Sequence, residues 1–350
     1  MNKRIDYLDT AKGIGILLVV FGHALTVEDS AIKVYLYSFH LPLFFFISGF
    51  LYRPEKFKNY FSFLGTKARA LIMPYITFSV MSHFMILIMH HKSGQHSSLV
   101  FLQIKNVVYG DGQHLAQLNN VALWFLPCLF IVENIFYWVV KFSKNHSTTI
   151  VTILLMTIIG FVYSKNYNHN LPWSLNVALI ALGFYGVGYI GSKYTEVLEK
   201  HLLNMNSYYV ICIFLVSFIV SMMNGRIDMN GNSYGHHIIY FYVAAFSGIS
   251  TVLKLSTKLR KLSLINYLGR NSLVILGLHF LMFQLIANYQ LQRILFNDFF
   301  KVQEEPLTMI ILYTVLGTLM TLPFAYLINR FVPFLFGKKS HKQSKNQLMC

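Results

Sequence analysis

Ten apolar segments, most of them near the length of a bilayer crossing, alternate with short polar stretches along this 350-residue chain. They run Gly13–Val27, Ala31–Leu51, Ala70–Met89, Val121–Val140, Thr148–Tyr163, Leu171–Ile190, Tyr208–Met223, Ile238–Leu253, Leu273–Ala287 and Leu307–Ile328. Backbone inside hydrocarbon has no water to bond, so spans of this kind must satisfy their own N–H and C=O groups as helices. Composition agrees. Hydrophobic residues make up 55% and charged residues only 12%, about half the charged share of a soluble domain. The expected fold is therefore all-α: a polytopic membrane bundle of about ten helices. The formal charge of +16 does not mark a nucleic-acid binder, because the basic residues fall in short clusters between apolar runs. Cys128 and Cys212 lie in apolar segments and Cys350 ends the sequence, which implies no disulfide framework and no prenylation box.

Lysine and arginine set the orientation. With the N-terminus inside, 22 of the 29 fall on the inner side and 7 on the outer. That split predicts both termini in the cytoplasm and an even number of spans. Residues 1–337 read as one membrane-embedded domain, whose first segment is an uncleaved span. Residues 338–350 read as a basic, disordered tail close to anionic lipid. The longest outer loop, His90 to Asn120, holds His90, His91, His96, Asp111, Gly112 and His114, and a later one holds Arg226, Asp228, His236 and His237. These histidines lack regular ligand spacing and cysteine partners, so no metal site is expected.

Polar residues inside the apolar runs are the candidates for chemistry, because each is costly in a membrane. Lys12 and His23 bracket the first span with ten apolar or small residues between them. At the helical rise they stand about 16 Å apart along the axis, roughly half the hydrocarbon thickness. With Lys12 at the cytoplasmic rim, His23 reaches the midplane or beyond. His40 and Pro42 open an aromatic run that closes at Ser48-Gly49; Pro42 frees a backbone carbonyl and Gly49 permits close helix approach. Lys67 and Arg69 precede Pro74 at the inner edge of the third segment. Arg270, Asn271 and Ser272 open the ninth, with Asn271 and Ser272 suited to capping it and His279 two turns in. Glu133 lies near the middle of the fourth segment, nine residues past Trp124, where it would pair with a buried histidine or Arg69 or stand protonated. Together these residues describe a membrane pocket with a cationic inner mouth, suited to the phosphates of a nucleotide-like donor, and a histidine at depth able to accept a proton from a hydroxyl. The same groups would equally suit a transporter of an anionic substrate.

In sequence order, these residues resemble the acyltransferase 3 family of integral-membrane O-acyltransferases, in its fucose 4-O-acetylase-like branch. The family's D-x-x-[KR]-G-I…G-H opening is matched by Asp9, Lys12, Gly13, Ile14, Gly22 and His23. Its F-H-x-P-L-F-F-F-I-S-G helix is matched from Phe39 to Gly49, its basic cluster and Pro-Tyr pair by Lys67, Arg69, Pro74 and Tyr75, its W-F-L at Trp124, and its L-G-[KR]-N-S…H from Leu268 to Ser272 with His279. One departure is the spacing of Lys67 and Arg69, two apart where many relatives have two arginines three apart. The resemblance implies transfer of an acyl group, often acetyl, from cytoplasmic acyl-CoA to a hydroxyl of a lipid-linked or exported glycan, across a bacterial-type inner membrane. It implies His23 as base or acyl relay and Lys12, Lys67 and Arg69 at the donor. Asp9, His40, Trp124, Glu133, Asn271, Ser272 and His279 become candidates to shape the pocket or orient its contents. No tightly bound cofactor is expected, and no fused soluble domain. Succinyl transfer and a glycan flippase are the rival readings.

Overall fold

The computed structural model describes residues 6–25, 27, 29–90, 104–288 and 306–336. His91, His96 and the basic tail lie outside these residues. The long helices are α1 (Asp6–Ala24), α2 (Ala31–Leu51), α3 (Tyr60–Lys67), α4 (Met73–His90), α5 (Phe125–Phe142), α6 (His146–Asn166), α7 (Leu175–Lys193), α8 (Thr195–Asn204), α9 (Ser207–Asn224), α10 (Ile238–Leu259), α11 (Ser263–Arg270), α12 (Ser272–Asn288) and α13 (Pro306–Phe331). Side-chain caps fix several boundaries at the polar edges. Ser30, Asn59, Asn145 and Asn206 each accept a hydrogen bond from a backbone N–H in the first turn of α2, α3, α6 and α9.

A helix stands at each of the ten expected places, but they are not equally apolar. Among the described residues, eight are long and apolar enough to cross a membrane, and nine if α11 and α12, bent by 83° at their junction, form one span. The remaining helix is α1, whose Asp9 and Lys12 set it apart. It sits inside the bundle, packed against α2, α10, α11, α12 and α13. A polar helix is tolerated there because protein, not lipid, surrounds it. Outer helices show the opposite pattern. α6 turns Val151, Leu154, Leu155, Ile158 and Ile159 outward, as a lipid-facing helix does.

Three features depart from a plain reading of spans. First, α3 and α4 are joined by a π-helical turn, Ala68–Ile72, where the Met73 N–H bonds the Ala68 carbonyl. Pro74 explains it: a proline ring in an α-helix collides with the carbonyl four residues back, and the wider turn relieves that clash. Second, the inner loops contain the helices α8 and α11, whose polar sides leave them short of spanning. Third, the outer loop after α9 forms a hairpin, β1 (Ile227–Asp228) antiparallel to β2 (Ser233–Tyr234), with Ile227 opposite Tyr234. The α2–α7 crossing bears out the reading of Gly49. A Cβ there would stand 1.9 Å from the Tyr185 carbonyl oxygen, and one on Gly188 would stand 2.0 Å from that of Phe46. The two backbones touch, which only glycine allows.

Candidate active site

Four helical segments enclose two cavities stacked along the bundle. The outer cavity is about 400 Å³ and the inner about 230 Å³, comparable with small-ligand sites. Each segment divides between them at one level. α1 gives Lys12 and Ile16 to the inner cavity and Val19 and His23 to the outer. α2 runs the other way, with Tyr37 and His40 outside and Phe44 and Ser48 inside. The short 3-10 turn Val121–Trp124 lines the outer cavity, and the start of α5, Phe125 to Leu129, lines the inner. α12 gives Ser272 and Leu273 to the inner and Phe280 to the outer. Leu41 and Leu276 border both.

The outer cavity is lined by His23 and His40, and His279 lies buried beside His23. His23 lies with its ring centroid 5.4 Å from that of His279 and 4.8 Å from Phe280. The Tyr37 hydroxyl is 3.5 Å from His23 Nδ1, and the Tyr37 ring is 4.8 Å from that of His40. The two neighbouring histidines have their tautomers set by backbone. His279 Nδ1 is 3.0 and 2.9 Å from the carbonyls of Ile275 and Leu276, and His40 Nδ1 is 2.6 Å from that of Leu36. A carbonyl can only accept, so each Nδ1 carries the proton and donates it, which leaves Nε2 as the acceptor. His279 Nε2 is buried and bonds nothing among the described residues.

The other expected residues separate into groups. Trp124 is buried in the wall of the outer cavity. Lys12 and Ser272 line the inner one, and Asp9 stands one turn below Lys12 on α1. Asn271 and Ser272 do not act simply as a cap for α12. Asn271 ends α11, donates through Nδ2 to the Tyr267 carbonyl, and accepts through Oδ1 from Asn329 of α13, tying the bent pair to the last span. Glu133 corrects the expected pairing. Its Oε1 lies 2.7 Å from Lys67 Nζ, and neither a histidine nor Arg69 is its partner. The π turn accounts for this, since it turns Lys67 toward α5 while Arg69 is left exposed. Lys67 also stands about 6 Å from the rings of Tyr52 and Phe63.

Several cavity residues are not among the sequence candidates for the pocket, Arg226 and Asp228 figuring there only as outer-loop residues. Lys33, Tyr37, Arg226, Asp228 and Asn230 all line the outer cavity. Lys33 is only 6% exposed and donates to the Leu25 carbonyl at 3.0 Å. The β1–β2 hairpin packs against α2 and brings Arg226 and Asp228 over the cavity. A signal existed: only 7 of 29 basic residues fall on the outer side, and Lys33 and Arg226 are two of them. Elsewhere in the outer loops, Asp111 caps the short helix Gly112–Ala116 and pairs with His114 at 2.6 Å.

A family model described as an acyltransferase domain, acyltransferase 3, matches residues 5–330. No curated protein and no solved structure gives a match. The match takes in every helix of the bundle and both cavities, so the chain belongs to the acyltransferase 3 family and is a multi-pass membrane acyltransferase.

Proposed function

We propose that the protein moves an acyl group, acetyl by preference, from cytoplasmic acyl-CoA to a hydroxyl of a cell-envelope or exported glycan, with His23 as general base. The observation that carries this reading is the stack of two cavities, Lys12 in one and His23 in the other. A donor whose diphosphate meets Lys12 and the exposed Arg69, with Lys67 beside it at the mouth, would extend its pantetheine arm into the inner cavity. An acceptor sugar would enter the outer cavity, against Trp124 and beneath the hairpin. The cell membrane of a bacterial-type envelope is the setting in which cytoplasmic donor and exported acceptor meet, and the fucose 4-O-acetylase-like branch suits that setting.

The reaction needs one proton moved and one bond exchanged. The hydroxyl oxygen attacks the thioester carbonyl while its proton passes to a nitrogen of His23. The C–S bond breaks, the ester forms, and the thiolate leaves as CoA-SH with the proton that His23 gives up. Tyr37 and the ring of His279 hold the imidazole in place. A covalent acyl-histidine is the variant of the same route in which His23 attacks first.

The test uses purified full-length protein in nanodiscs with labelled acetyl-CoA and a panel of 4-nitrophenyl hexosides. Label should pass to sugar with release of free thiol, and His23→Ala should lower kcat by roughly 10²–10⁴-fold. Transfer at the wild-type rate in His23→Ala would remove His23 from the chemistry. Thioester left intact with every sugar, alongside glycan movement across the bilayer, would replace transfer by transport.

A further inference from the structure

We infer that Leu41 and Leu276 form a septum between the two cavities and select the acyl group that passes it: short, unbranched and uncharged. This rests on the acyl-transfer reading above and names its donor class. The two leucines are shared by both cavity walls, and the segments that build the stack change from inner to outer lining at the same level, between Ile16 and Val19 on α1 and between Trp124 and Phe125 at the start of α5. A thioester carbonyl attacked near His23 must therefore have its acyl carbon at or past these side chains, with the rest of the donor behind them.

The two leaves differ in how firmly they are held. Leu276 is backed by a fixed wall. The carbonyl of its neighbour Gly277 accepts from Asn120 Nδ2 at 2.9 Å, and a Cβ at Gly277 would meet Phe78 at 2.3 Å, so α12 has no room to retreat. Leu41 precedes Pro42, which lacks the N–H that would bond the Ser38 carbonyl, so α2 misses a rung at this level. Leu41 is thus the leaf able to move and Leu276 the stop.

Chemistry follows from the lining. Beyond Lys12, Ser48 and Ser272, the inner cavity is walled by Ile16, Phe44, Ile47, Leu71, Leu126 and other apolar side chains. Between the two leucines a succinyl carboxylate would shed its water before meeting a donor, since Lys33 and Arg226 lie beyond them in the outer cavity. A longer chain would have to displace packed leucine, and an apolar pocket discriminates by roughly tenfold or more per methylene.

The experiment compares acetyl-, propionyl-, butyryl-, hexanoyl- and succinyl-CoA as donors, read as thiol release and sugar ester formed. In the wild type, kcat/KM should fall about tenfold or more per methylene beyond propionyl, with succinyl-CoA unused. Leu276→Ala and Leu41→Ala should each raise butyryl and hexanoyl relative to acetyl by about tenfold or more. An unchanged acyl profile in both variants, or wild-type use of succinyl-CoA equal to acetyl-CoA, would overturn the proposal. The Tm of each variant in detergent controls for folding. If no donor is consumed by any variant, the acyl-transfer reading fails, and the septum is read separately. Val19→Cys, in the outer cavity wall, is labelled by a thiol reagent added from the Lys12 side of sealed vesicles, with the unsubstituted chain as blank. Labelling should be slow with both leucines and at least about tenfold faster with Leu276→Ala added, by the opening of a side chain's volume; equal rates would overturn the septum.

Discussion

Single side chains here act through what faces them. Lys12 lies half-buried in the inner cavity, so replacing it by Met removes a charge while keeping its apolar stem. The Michaelis constant for acetyl-CoA should rise about tenfold with kcat changed much less, since a charge-assisted contact is worth about 1.5–3 kcal/mol; initial rates against donor concentration test it, and an unchanged constant would remove Lys12 from the donor site. Glu133 and Lys67 are a partly buried pair, their side chains 5% and 19% exposed. Removing one partner should cost more than removing both. Glu133→Ala is expected to cost about 2 kcal/mol, and Lys67→Met with Glu133→Leu to recover most of it, seen as Tm in detergent. Sequence offered Glu133 a histidine, Arg69 or a proton, and the structure gives it Lys67. Position along a chain does not tell which way a side chain points when the helix between has gained a residue per turn.

That extra residue belongs to the scale of the element. The π turn at Ala68–Ile72 advances the face of α3 relative to α4 by about 100°, one residue of a helix. Pro74→Ala removes the reason for the wide turn. Relaxation to an α-turn would rotate Lys67 away from Glu133 and move Arg69 on the inner face, raising the donor Michaelis constant several-fold and lowering Tm, because buried Glu133 loses its partner. Kinetics and melting of the one variant check both halves. The α1–α11 contact shows the same dependence on backbone. A Cβ on Gly13 would stand 2.1 Å from the Ile265 carbonyl oxygen, and one on Gly269 would stand 1.8 Å from that of Asp9. The glycines beside Lys12 and before Arg270, legible as family motifs, are there because α11 lies directly on α1. The helical identity of α11 was not legible, since eight residues between basic clusters look like any inner loop.

Over the whole molecule, charge and apolarity arrange the chain in the membrane, and packing arranges the cavities. Fusing a periplasmic-type phosphatase to residue 336 should give an inactive reporter, and fusing it after Arg226 an active one. A cytoplasm-dependent fluorescent reporter should give the reverse pattern, as expected from the inner bias of 22 basic residues against 7. Both reporters positive at residue 336 would overturn the cytoplasmic C-terminus.

Sequence by itself determined the class and predicts the direction. Apolar runs of bilayer length leave helices as the one permitted backbone, basic clusters orient them, and the ordered motifs from Asp9 to His279 identify the family, because each of these signals is local. Tertiary structure alone decided which polar groups meet. His23 and His40 come from two helices into one chamber, and His279 of a third lies buried against His23. Lys33 and Arg226 join them from segments nearly 200 residues apart. Glu133 goes to Lys67, and two leucines indistinguishable in sequence from their neighbours stand between the chambers. Those outcomes depend on helix rotation and crossing, set by glycine contacts and one proline-induced wide turn, and no linear pattern carries the sum of those rotations.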